Sequence, residues 1–508
     1  MNEKRYFKLD ASAHSSSERV YLELFDLIDK QKQFDEITIE KKMRLRGDGL
    51  RKVKGHLYRS LLKSLVSFNS KTASATIKIQ EMLAEVEVLF NKRLTSQCVK
   101  TLKKAEMLTQ KHAKSSYQLE ILAWKARITE YHPYQIDQSL SVILKEAKEI
   151  SDSLSSYTNY RILLNRISEI GFDRRNIQMQ KQFADIKNSP LLKKGNAIGD
   201  FHSKRMYYNT MYWLYMQEVN PGKAYFFAKK ALEQIESHPE IMNDEPRYYI
   251  GNLQNLFFSV LFLEKFDEAL QITMKLKSLS ENIKNNNEKE YFRFTLFWLS
   301  TRFELHVYDR KADFEAALSI VGKLERGMLE MKKKIEDVAG GISYITIIAQ
   351  LYFSVNNFKK CQEWLNKILN NPGIERDDLF GFAKIIYLIV YYESGKEFYL
   401  ESLVKSTYRY LLKKEKVYQF ENVFMKFIRK IYSNSFKTSQ LKKAFKELKE
   451  QFIELSKDTH EKIAFEYFDF IAWTESKIEN RSFGEIVKEK TEARIKASKK
   501  TATKELAA

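Results

Sequence analysis

The chain has 508 residues, of which 44% are hydrophobic; 86 Lys and Arg stand against 66 Asp and Glu, giving a formal net charge of +20. Only 6 Pro and 16 Gly occur, and strand-like alternation is missing, which predicts helices throughout, arranged as several domains or as one solenoid whose core grows unit by unit. No uncharged apolar run reaches the roughly 18 residues of a membrane span, and two cysteines are too few for a disulfide scaffold.

Residues 1–17 are polar and Ser-rich and predict a flexible arm. They hold no apolar core of a secretory signal, so the expected location is cytoplasmic. Ser15-Ser16-Ser17-Glu18 offers a capped helix start ahead of Val20, Leu24, Leu27 and Ile28. The next stretch, KKMRLRGDGLRKVKGHLYRSLLKS, carries Lys41, Lys42, Arg44, Arg46, Arg51, Lys52, Lys54, Arg59 and Lys63 against the single acid Asp48. Gly47-Asp48-Gly49 reads as a loop between two helices, the second burying Val53, Leu57, Leu61, Leu62 and Leu65. Residues 18–70 therefore form a basic helical cap with the outline of a helix-turn-helix module. Two readings stay open: a polar end for a solenoid, or a nucleic-acid surface whose basic side chains from Lys41 to Arg59 meet phosphates.

Residues 75–200 predict less regular helical repeats. A first unit spans 75–111, a second 116–151, and a helix over 157–170 precedes a loop at 189–195 containing Ser189, Pro190, Lys194 and Gly195. From 201 the pattern sharpens. In the stretch beginning at Gly341, Ile345, Ile348, Ala349 and Tyr352 share one helix face, a break falls at Val355-Asn356-Asn357, and Phe358, Cys361, Leu365 and Ile368 stripe a returning helix that stops at Pro372.

This order of large, small and aromatic residues around a short turn resembles the tetratricopeptide repeat, with Ala349, Tyr352 and Cys361 in the family's small, aromatic and small positions. With Cys361 as a ruler, Ala317, Ala269 and Ala224 hold the same slot at spacings of 44, 48 and 45 residues. Ser139 and Cys98 continue the frame toward the N-terminus, with a degenerate unit near Met179 and Gln180. Leu400 or Val404, and then Ala444, continue it toward the C-terminus. Well-formed repeats thus fill 201–372, further helical repeats fill 373–476, and 477–508 predicts a basic, disordered tail. The resemblance implies an all-α, right-handed superhelical α-solenoid of about nine antiparallel hairpins with a period near 44 residues. It also implies that the first helices of successive units line a concave groove, presenting Asn209, Trp213, Gln254, Phe258, Arg302, His306, Gln350 and Phe353 to an extended peptide of acidic character.

Catalytic patterns are missing. The eight histidines include no pair at i, i+4 and no HExxH; Gly47-Asp48-Gly49 lacks a third glycine; no GxxxxGK[ST] occurs. Glu288 and Glu290 read as first-turn acids of a helix. Cys98 and Cys361, in the repeat's small slot, read as packing residues. No cofactor, metal or catalytic residue is expected. The expected function is a non-catalytic protein-binding scaffold or regulatory adaptor, with a nucleic-acid-binding regulator, in which the solenoid senses a ligand, as the alternative.

Overall fold

The structure is a computed structural model that describes residues 3–12, 19–70, 75–170, 177–193, 199–282, 289–338, 340–371, 377–395, 397–412, 419–433, 438–458, 461, 464–465 and 468–506. The expected helix start at Ser15–Glu18, the stop at Pro372, and Lys194, Gly195 and Glu288 lie outside these residues. Every regular element among the described residues is helical. The chain divides into two compact units: residues 1–159, 196–205 and 234–246, and residues 160–195, 206–233 and 247–508.

The first unit opens with α1 (Glu3–Ser12), α2 (Arg19–Asp29), α3 (Glu36–Met43) and α4 (Asp48–Ser70). Phe7, Ala11, Leu24, Ile39, Leu50 and Leu57 form their shared core. Within the expected arm, residues 3–12 are therefore a packed helix. Phe7 and Ala11, four apart, give α1 a buried face, with Phe7 packed 4.9 Å from Phe25, and the helix is pinned to α2 by Lys4–Asp29 and Lys8–Asp26 pairs. Asp35 caps α3, accepting hydrogen bonds from the Ile37 and Thr38 backbone N–H groups. Leu62, expected inside, is exposed.

α5 (Ala75–Asn91), α6 (Thr95–Lys111) and α7 (Ser115–Tyr131) follow as packed neighbours, with Ile79, Leu83, Val86, Cys98, Leu102 and Ile121 in their core. Beyond them α8 runs unbroken from Leu140 to Ile170, where a repeat ending at 151 and a separate helix at 157–170 were expected. Along it Ser156, Thr158 and Ser168 donate to the carbonyls of Asp152, Leu154 and Leu164 one turn earlier, so their hydroxyls are satisfied within the helix. Ser139 is exposed ahead of α8, so it does not hold the buried small slot assigned to it.

The second unit contains α9 (Ile177–Lys187), the short α10 (Pro190–Lys193) inside the expected loop, and most of α11 (Phe201–Gln217) and α12 (Pro221–Glu236). The six-residue α13 (Pro239–Asp244) belongs to the first unit. Then come α14 (Pro246–Phe262), α15 (Phe266–Asn282), α16 (Lys289–Arg310), α17 (Phe314–Glu330), α18 (Gly341–Ser354) and α19 (Phe358–Leu369). One turn design recurs among them. Val219, Glu264, Ala312 and Asn356 each take a left-handed backbone conformation just past a helix end. Their neighbours Asn220, Lys265, Asp313 and Asn357 donate to the carbonyls of Tyr215, Val260, Tyr308 and Tyr352, closing a Schellman-type end before the chain returns. Ala224, Ala269, Ala317 and Cys361 are completely buried in the returning helices. Small side chains there let the helices approach, and Cys361 and Cys98 occupy packing positions.

The chain ends with α20 (Asp377–Glu393), α21 (Glu397–Leu412), α22 (Gln419–Ser433), α23 (Thr438–Lys457), α24 (Phe470–Glu479) and α25 (Phe483–Leu506). The expected disordered tail is thus largely helix. Phe483 stacks on Phe468 at 4.9 Å and meets Phe353 edge-on, and Arg494 reaches Glu264 and the Arg310 carbonyl. Trp473 of α24 is fully buried, its indole N–H donating to Glu393.

Two outcomes follow for thermal or urea unfolding. A Cβ on Gly484 would sit 2.2 Å from the Ser354 carbonyl oxygen, so Gly484→Ala must displace α25 from α18 and cost about 1–3 kcal/mol. Val219 is an exposed, β-branched residue at φ 56°. Val219→Asn, which places at this turn the residue type found at 356, relieves part of that strain and should stabilise by about 0.5–1 kcal/mol.

Candidate functional site

The second unit carries a row of aromatic and basic side chains across α14, α16 and α18. Arg302, His306 and Asp309 stand four and three residues apart on α16, which places them on one side of that helix. Phe258 of α14 meets the His306 ring edge-on at 5.8 Å, and Tyr344 of α18 meets it at 4.9 Å on another side. The Arg302 guanidinium lies 4.4 Å from the Tyr344 ring centroid and 5.4 Å from that of Trp298, a cation held by two aromatic faces. Gly340, with φ 75°, lies beside it in the left-handed conformation that favours glycine.

Burial sets the protonation of this row. It pushes the His306 imidazole down to about 3, with Arg302 and Arg310 adding to the effect, so the ring is neutral at pH 7. The Tyr344 phenol is pushed up to about 12 and stays a donor. Burial raises the Asp309 carboxyl to about 6 against the pull of Arg310 and Arg494. Arg302 has no acid within ion-pair distance among the described residues. Its Nε is buried without a hydrogen-bond partner, and the Tyr344 hydroxyl beside the guanidinium belongs to a residue only 2% exposed.

Of the residues expected to line a groove, Asn209, Trp213, Gln254, Phe258, Arg302, His306 and Gln350 are all half-buried. The Asn209 side chain accepts from that of Asn255, and Trp213 packs edge-on against Tyr212. Phe353 does not belong with them. It is 1% exposed, enclosed by Phe358, Phe468 and Phe483, because the segment before α24 and the start of α25 cover that side of α18. Tyr344, Trp298 and Asp309 are additions that sequence reasoning missed. α18 is apolar nearly all round, so periodicity gave no reason to separate Tyr344 from the core residues beside it.

In the first unit, Lys41, Lys42, Arg44, Arg46, Arg51, Lys52 and Arg59 are exposed. Lys54 differs: it is half-buried, paired with Glu36 and set over the Phe34 ring. Among the described residues no group of three or more His, Cys, Asp or Glu is arranged to hold a metal, and no helix is long and apolar enough to cross a membrane. Comparison with protein families, with curated proteins and with solved structures gives no match.

The His306 environment has a pH signature. Its folded pKa is depressed from 6.5 to about 3, so its stabilising contribution is complete above pH 6.5 and is lost as pH falls toward 3. Asp309 works in the opposite sense: its folded pKa is raised from 3.8 to about 6, so its contribution is complete below 3.8 and is lost as pH rises through 6. Urea unfolding at pH 7 and pH 4.5 separates the two. His306→Gln should lose less stability on acidification than the native chain, and Asp309→Asn should lose more.

Proposed function

We propose that the chain is a cytoplasmic, non-catalytic scaffold or adaptor, a right-handed tetratricopeptide-like solenoid that holds an acidic peptide segment against α14, α16 and α18. The observation that carries this reading is the half-buried Arg302 guanidinium, set over the Tyr344 ring with no acid within ion-pair distance among the described residues. A carboxylate is the ligand group that accepts from a guanidinium and matches its charge together. Half-buried side chains on α11 and α14 of the same unit suit a peptide rather than a small anion. Half-buried amides at Asn209 and Gln254 offer hydrogen bonds to a backbone, and Trp213 and Phe258 offer apolar surface to its side chains.

A peptide array of acidic and charge-neutral sequences, probed with the purified chain, tests the reading. Acidic peptides should be selected. Tyr344→Phe, which removes only the hydroxyl, and Arg302→Gln should each weaken the selected peptide by roughly 10- to 100-fold, as expected for a lost hydrogen bond to a charged group. Equal capture of acidic and neutral peptides, or full affinity in both variants, rejects it.

A further inference from the structure

We propose that α2, α3 and α4 form a helix-turn-helix module that seats the first turns of α4 in the major groove of duplex DNA. This proposal is independent of peptide binding by the second unit.

The inner side of the module is built as such a motif requires. Ile39 of α3 is fully buried, and Leu50 and Leu57 of α4 are 1% and 5% exposed; all three share a core with Leu24 of α2. Met43, Leu45 and Val53 pack against that core. α3 rests on α2, and α4 rests on α1 and α2. Between α3 and α4 stand only residues 44–47, with Arg44 left-handed at φ 54°, ψ 30° and Gly47 at φ 52°, a sharp turn of the length the motif uses.

The outer side is a concentrated array of unmatched cations. Lys41 and Lys42 close α3, Arg44 and Arg46 stand on the turn, and Arg51 and Lys52 lie on the first turns of α4, with Arg59 two turns further on. All are exposed, and none lies within ion-pair distance of an acid among the described residues. Elsewhere the chain matches many of its cations: Lys114 with Asp244, Lys277 with Glu304, Lys449 with Glu475, Arg494 with Glu264. A polar end cap would be served equally well by such pairs, whereas a cluster of one sign raises a local positive potential that attracts a polyanion.

Placement then sorts the roles. In a helix-turn-helix the N-terminal residues of the second helix face base edges, while the preceding helix and turn approach the backbone. Arg51 and Lys52 are positioned for guanine O6 and N7, and Lys41, Lys42, Arg44 and Arg46 for phosphates. The exposed apolar residues of α4, Tyr58, Leu62 and Val66, lie beyond these turns. An anionic membrane is thus the competing surface, and the test includes it.

The experiment is fluorescence anisotropy of the full chain with labelled mixed-sequence duplex DNA, the matching single strand, and phosphatidylserine vesicles. Duplex should bind most tightly, losing affinity steeply between about 50 and 200 mM salt because each neutralised phosphate adds about 0.9 to the log–log slope. Joint Arg46→Glu, Arg51→Glu and Lys52→Glu changes should weaken duplex binding at least 100-fold. The same charge change at exposed Lys442, Lys443 and Lys446 of α23 should weaken it less than tenfold. Arg51→Gln with Lys52→Gln, which leaves the core untouched, should retain native circular dichroism and lose at least tenfold. Four outcomes overturn the proposal: no duplex binding, single strand bound as well as duplex, vesicles bound in preference to duplex, or equal losses in the two triple variants.

Discussion

Close approach of helices at each hairpin is the constraint on which the second unit depends. Two features satisfy it together: a completely buried small residue in the returning helix, and a left-handed residue that turns the chain immediately after the first helix. Ala269 and Ala317 remove the side chain that would hold the helices apart. Glu264 and Ala312 accept an unfavourable φ so that the next residue can satisfy a carbonyl of the ending helix. Non-glycine residues in that conformation cost about 1–2 kcal/mol each, and buried packing along both helices offsets it. The aromatic row then follows from spacing: once the helices are close, Phe258, His306 and Tyr344 come within ring contact.

How much of this was legible in the sequence depends on whether a residue's role is periodic. The small slot at Ala224, Ala269, Ala317 and Cys361 was readable because a helix face repeats, and the basic stretch at 41–63 because its composition is extreme. Asn356-Asn357 announced its turn through residue type, whereas Val219, Glu264 and Ala312 did not, since the left-handed conformation there is imposed by packing. Ser139 fitted the frame by spacing alone and proved exposed. The length of α8 was hidden for a related reason: a frame of repeats near 44 residues ended a unit at 151, inside what is one continuous helix.

Terminal segments were misread because composition speaks to average solvation and not to a few anchoring contacts. Phe7 in a polar N-terminal stretch is enough to seat α1, and Phe483 with Gly484 is enough to seat α25 on α18. The same anchoring covers Phe353. The tetratricopeptide frame pointed Phe353 toward a groove, but that frame describes successive hairpins and contains no account of a later helix returning over an earlier one.

A net charge of +20 is best understood by separating cations that folding matches from those it leaves unmatched. Lys114, with side-chain exposure of 11%, sits between Asp244 and Glu245, so its desolvation is compensated within the chain. Arg302 receives aromatic faces, which attract a cation but leave its Nε–H without an acceptor. The cations of the α3–α4 turn receive neither acid nor ring; they remain in water, where their mutual repulsion is screened over about 8–10 Å. These three conditions underlie the two proposals: a matched lysine enters neither, the half-buried guanidinium carries the proposed carboxylate contact, and the exposed cluster carries the proposed contact with a dense line of negative charge. Composition gives the sum of these charges; their partners in the fold decide which of them is available for recognition.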